Sequence, residues 1–80
     1  MGLNDLRQQI LQKVLTGVLP KDHCRVTWYG PGTDAICAVC ERPVTAQEIE
    51  VECDLPAGST IRLHRTCYDA WSRELRARPS

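Results

Sequence analysis

Apolar residues follow three rhythms along this chain. Over residues 5–18 they recur at helical spacing: Leu3, Leu6, Ile10 and Val14 form one seam, and Leu11, Leu15 and Leu19 a second, with Val18 between. The pattern predicts an amphipathic helix capped by Asn4, weakened at Gly17 and stopped by Pro20. Its apolar stripe is wider than one packing face requires. Both seams can pack inside the domain, or one can cover it while Leu11, Leu15, Val18 and Leu19 meet a partner protein or a second copy. The rhythm then becomes alternation. His23–Tyr29 reads as a strand with Cys24, Val26 and Trp28 on one face. Ile49, Val51 and Cys53 alternate with Glu48, Glu50 and Glu52, which predicts an inward row and a solvated row. Thr60–Leu63 returns as the hairpin partner, with Ile61 and Leu63 inward and Arg62 beside the glutamates. Helical spacing reappears from about His64 to Ala77, with His64, Cys67, Trp71 and Leu75 on one side and Pro79 beyond the end. The other side carries the i,i+4 pairs Arg65–Asp69, Asp69–Arg73 and Glu74–Arg78. Between these elements, Gly30–Asp34 reads as a tight loop, and Thr45 and Glu48 have capping-box spacing.

Size changes the picture first. Eighty residues make one domain. Such a domain buries only about 60% of its unfolded surface and usually needs a disulfide, a metal or a partner as a staple. There is no Phe, so Trp28, Trp71, Tyr29 and Tyr68 supply all the aromatic bulk. The formal net charge is zero, which removes a global basic field for nucleic acid or membrane. The opening residues lack the basic and apolar runs of a signal peptide, and no stretch approaches the ~20 apolar residues of a membrane span. The expected address is cytoplasmic, where paired cysteines point to metal rather than disulfide.

The candidate chemistry lies between residues 37 and 67. Cys37-Ala38-Val39-Cys40 is a C-x2-C, and His64-Arg65-Thr66-Cys67 an H-x2-C, with 23 residues between them. A C-x2-C turn folds back so that both sulfurs point at one spot. A His and a Cys three apart in the first turn of a helix share one face, and the helix dipole there favours the Cys67 thiolate. Zinc favours four such sulfur and nitrogen ligands in a tetrahedron. Cys37, Cys40, His64 and Cys67 are therefore the expected ligands of one structural Zn2+. Arg42 and Arg65, adjacent in sequence, are placed to offset the excess negative charge. Cys53 is an alternative fourth ligand in place of His64, but its inward strand position reads as core. Cys24 and Cys53 are otherwise spare, buried thiols.

The order knuckle, β-hairpin, helix with two ligands at its head resembles the treble-clef zinc finger. Over roughly residues 35–77 it is similar to the first half of a LIM domain, and the Gly-Pro-Gly lead-in with the trailing Trp71 resembles small bacterial zinc proteins of undefined activity. A second set of four ligands, which a whole LIM domain, RING or PHD finger needs, is missing. The expectation is a small α+β zinc-stabilised domain: an N-terminal helix (1–20), an extended segment and Gly/Pro loop (21–34), a treble-clef module (35–77) and a tail (78–80). Four protein ligands leave no position for a reacting water, so the expected role is non-catalytic, a module for regulatory protein–protein contact. No H-x-E of a zinc deaminase and no βαβ context of a redox C-x2-C enzyme is present. Two alternatives stand beside it. Arg62, Arg65, Arg73, Arg76 and Arg78 suggest a nucleic-acid-binding finger. Cys24 and Cys53 suggest a thiol-based redox or zinc sensor.

Overall fold

The computed structural model describes residues 3–56 and 58–77. The expected Pro79 stop, the Glu74–Arg78 pair and the 78–80 tail lie outside the described residues, as do the side chains of Leu3 and Asn4. The architecture is α+β, with two helices, a three-stranded antiparallel sheet and a Cys/His cluster. The elements run α1 (Leu3–Leu15), β1 (Val26–Pro31), β2 (Ile49–Asp54), β3 (Thr60–His64) and α2 (Arg65–Ala77). The sheet order is β1-β2-β3. Alternation places Tyr29, Val51, Cys53, Ile61 and Leu63 on one face, and α2 packs against β2 and β3. Trp71 of α2 is fully buried in that core, and its indole N–H donates to the Pro20 carbonyl at 3.3 Å. α1 lies against α2, where Arg7 pairs with Glu74 at 2.9 Å.

The first seam of α1 is the one that packs. Ile10 and Val14 are buried, while Leu15 and Val18 are 71% and 62% exposed. Leu19, expected at a partner surface, is instead buried in the core. The cause is local. Gly17 takes a left-handed φ of 83°, the chain turns back, and the Leu19 N–H donates to the Lys13 carbonyl at 3.0 Å.

Several strand expectations shift because β1 pairs with β2. The first strand is Val26–Pro31 rather than His23–Tyr29, and Val26 and Trp28 are exposed on the sheet face away from α2. Ile49, opposite Pro31 at the sheet end, is exposed rather than inward. Glu50 is buried rather than solvated: it accepts from the Thr33 N–H and hydroxyl, at 3.0 and 2.8 Å, and pairs with Arg62 at 3.3 Å. The expected charge match of Arg62 with Glu52 is present at 3.2 Å.

Cys24 and Cys53 are not separate thiols. The chain leading into β1 bends across β2, the Arg25 N–H donates to the Asp54 carbonyl at 2.7 Å, and the two cysteine Cα atoms come to 5.4 Å. They form a disulfide. Closing a loop of this length restricts the unfolded chain by about 3.5 kcal/mol in the chain-entropy account.

The Gly30–Asp34 loop lies against the turn that follows the C-x2-C. Gly32 N–H donates to the Glu48 carbonyl at 2.9 Å, and Asp34 N–H to Val44 at 2.8 Å. A Cβ at Gly32 collides with the backbone carbonyls of Thr45 and Val44. Gly32→Ala is therefore expected to cost about 1–3 kcal/mol, since backbone rather than a flexible side chain must yield. Urea unfolding at saturating metal checks this, and a midpoint equal to that of the native chain contradicts it.

Candidate metal centre

The C-x2-C forms the tip of a narrow loop joining β1 to β2. The Ile36–Pro43 bridge and the Val44 N–H bond to Ala35, 2.8 Å, draw its two arms together. At the tip, Cys37 N–H donates to the Arg42 carbonyl at 2.9 Å, and Glu41 N–H to the Cys37 carbonyl at 3.0 Å. Glu41 takes the left-handed φ of 65° that this tight return demands. The tip is anchored to β3 by the Ala38 N–H, which donates to the Arg62 carbonyl at 2.9 Å.

The second pair arrives at the junction of β3 and α2. His64 is the last residue of β3 rather than the first of the helix, because the ladder opposite Glu50 extends to it. Cys67 stands in the first turn of α2. Sulfur atoms of Cys37, Cys40 and Cys67 and a ring nitrogen of His64 all lie within 4.8 Å of one another. Among the described residues, these four are the Cys, His, Asp and Glu side chains placed to share a metal. Cys37, His64 and Cys67 are buried and Cys40 is half-buried. Bonds of ~2.0–2.3 Å to a tetrahedral ion give ligand–ligand edges of about 3.3–3.8 Å. The 3.3 Å between Cys40 Sγ and His64 Nδ1 fits that range. The donor set and its spacing fit one metal ion. Cys53, the alternative ligand, is committed to its disulfide.

The electrostatics favour a thiolate at Cys37 and, contrary to the expectation from the helix dipole, a thiol at Cys67. The backbone N–H groups of Val39 and His64 donate to Cys37 Sγ, each at 3.4 Å. A hydrogen bond from Cys67, reinforced by backbone N–H groups, holds the Cys37 thiol well below the ordinary thiol range although burial opposes it. The same shared hydrogen bond, together with burial, pushes Cys67 up. A coordinated cation releases the protons of all its thiols. Burial lowers the His64 pKa, but hydrogen bonds and charge from Cys37 and Glu48 outweigh it, and the net shift is upward.

Two neighbours of the cluster are placed beside it by long-range folding, and the sequence does not mark either as a partner of the ligands. Lys13 of α1 reaches the loop tip and donates to the Ala38 carbonyl at 3.1 Å and to Glu41 Oε2 at 2.8 Å. It places a cation beside the cysteines and holds the Glu41 carboxyl below its ordinary range. Arg65, expected to offset the cluster's charge, sits over the Tyr29 ring at 5.7 Å, and Arg42 lines an open cleft of 470 Å³ with Pro43, Thr45, Glu48 and His64. The second neighbour is Glu48. Its Oε1 accepts from the Thr45 N–H at 2.9 Å, the Thr45 hydroxyl at 3.1 Å and His64 Nε2 at 3.2 Å. The capping-box spacing thus closes a turn, and the Glu48 carboxyl is lowered, first by the Thr45 N–H. That contribution is fully present above the ordinary glutamate pKa of about 4.3 and is lost as pH falls through the lowered folded value.

Among the described residues, no helix is long and apolar enough to cross a membrane. Set against models of protein families, curated proteins and solved structures, the chain matches none.

Proposed function

We propose that this chain is a non-catalytic module built on one structural zinc in a treble-clef arrangement, and that it works through protein–protein contact. The observation that carries the reading is the convergence of three sulfurs and one imidazole nitrogen within 4.8 Å. Sulfur-rich tetrahedral sets select zinc among common divalent ions, and four protein donors leave no open position for substrate or water. The contact surface is the end of α1, where Leu15 and Val18 are exposed. Leu19 has no part in it, because it is buried.

The alternatives lose ground on specific contacts. Arg62 is engaged by Glu50 and Glu52, and Arg65 by Tyr29, which thins the arginine cluster of a nucleic-acid finger. Cys24 and Cys53 are bonded to each other, so neither is placed to attack a ligand cysteine as a thiol sensor requires. A cytoplasmic address has to accommodate that disulfide, which a reducing compartment disfavours.

Native mass spectrometry of protein purified without added metal tests the reading. One zinc per chain is expected, lost in Cys40→Ser. A folded chain carrying no metal overturns it. For the contact surface, Leu15→Asp with Val18→Asp is expected to keep the zinc and abolish association with a partner or a second copy.

A further inference from the structure

We propose that Glu48 is a positioning residue for the metal centre: its carboxylate holds His64 with Nε2–H turned outward and the Nδ1 lone pair turned to the three sulfurs. The inference rests on the metal-site reading above and adds to it which nitrogen binds and what selects it. A neutral imidazole carries one proton and can offer either nitrogen. Here Nδ1 lies 3.3 Å from Cys40 Sγ, and Nε2 lies 3.2 Å from Glu48 Oε1. An ionised carboxylate only accepts, so the proton must sit on Nε2 and the lone pair on Nδ1. A ligating histidine commonly donates its other N–H to such a group, which fixes the ring and raises its basicity.

Glu48 is itself tied to Thr45 through both side chain and backbone. Its Oε1 takes the N–H and hydroxyl of Thr45, and its own N–H returns to the Thr45 carbonyl at 2.9 Å. Gly32 clamps that turn from outside, through its bond to the Glu48 carbonyl and a backbone approach that no side chain fits. The Gly-Pro-Gly loop is thereby linked to the metal through Thr45, Glu48 and His64. The cleft beside His64 opens to solvent, so packing on that side does not orient the ring. The carboxylate does.

The test uses the full chain, with zinc and cobalt(II) as probes. Affinity is measured by competition with a chromophoric chelator. Glu48→Ala is expected to weaken binding about 10–100-fold. Glu48→Gln keeps an acceptor oxygen without the charge, and is expected to fall between Glu48→Ala and native. Two-bond proton–nitrogen spectra of the metal-bound native chain are expected to show His64 protonated on Nε2 and ligated through Nδ1. A role confined to capping the Thr45 turn would move stability but not that tautomer. Affinity in Glu48→Ala within about twofold of native overturns the proposal, given the 10–100-fold loss usual for such outer partners. So does ligation through Nε2, which native protein reports even if Glu48→Ala fails to fold. Native protein that binds no metal overturns the zinc module itself. Native protein that binds zinc with Glu48→Ala unchanged overturns this proposal alone.

Discussion

On the zinc reading proposed above, a strong chelator is expected to cost the purified chain the fold of residues 35–77, and Cys67→Ala is expected never to acquire it. Structural zinc in finger peptides is worth ~10–16 kcal/mol apparent at pH 7, against about 5–15 kcal/mol for the net stability of a whole domain. The site joins the loop tip to the head of α2, adding to the core around Trp71 and the Cys24–Cys53 disulfide. The loop tip 37–41 is held to the rest of the molecule by the Ala38 bond to Arg62, the Lys13 side chain, the buried side chain of Val39 and the sulfurs themselves. Without the cation, three buried or half-buried sulfurs and His64 face one another across 4.8 Å, and their shared protons are a poor substitute for four metal bonds. Amide spectra recorded beside a metal assay decide the matter. A dispersed, unchanged spectrum from protein shown to be metal-free would falsify the account.

Trp71→Ala, studied at saturating zinc, is expected to cost about 3–5 kcal/mol. Trp71 is fully buried and packs edge-on against Tyr68, with ring centroids 6.2 Å apart. Its indole also supplies the N–H that holds the Pro20 carbonyl, the point where the chain leaves α1 for β1. Truncation leaves a cavity under the sheet and an unpaired carbonyl at that crossing. Urea unfolding followed by circular dichroism gives the size, and amide exchange should rise in α1 before it rises in β2. A loss below about 1 kcal/mol contradicts the role assigned to this side chain, because a collapsed site of this size costs more.

Much of the scaffold was legible because its signals are local. The spacing of Ile10 and Val14, the alternation of Val51 and Cys53, and the Cys67–Trp71 face each lie within one element. The four candidate ligands were legible for the same reason, as two short pairs. What was hidden depends on β1 lying against β2, a pairing between residues 18 to 28 apart. That pairing buries Glu50 against Thr33, seats the Gly32 loop on Glu48 and so aims Glu48 at His64, and brings Cys24 to Cys53. Lys13 was hidden because its partner carbonyl is 25 residues away and presents itself only once the C-x2-C has folded. Helical periodicity puts Leu19 at the surface only if it continues past Gly17, where the backbone no longer follows it.

The disulfide and the metal site interlace, and this has a mechanical consequence. The covalent bond spans 24 to 53, the metal ligands span 37 to 67, and each loop encloses one foot of the other. Under tension along the chain, the metal alone leaves 13 residues to extend between Cys24 and Cys67, and the disulfide alone leaves 14. Either one therefore caps that stretch at about 50 Å, at ~3.3–3.6 Å per extended residue. Only when both have gone can the 43 residues pay out to about 150 Å. Cutting a single tether frees almost no length, so a pulled molecule yields its slack in one step, at the second rupture.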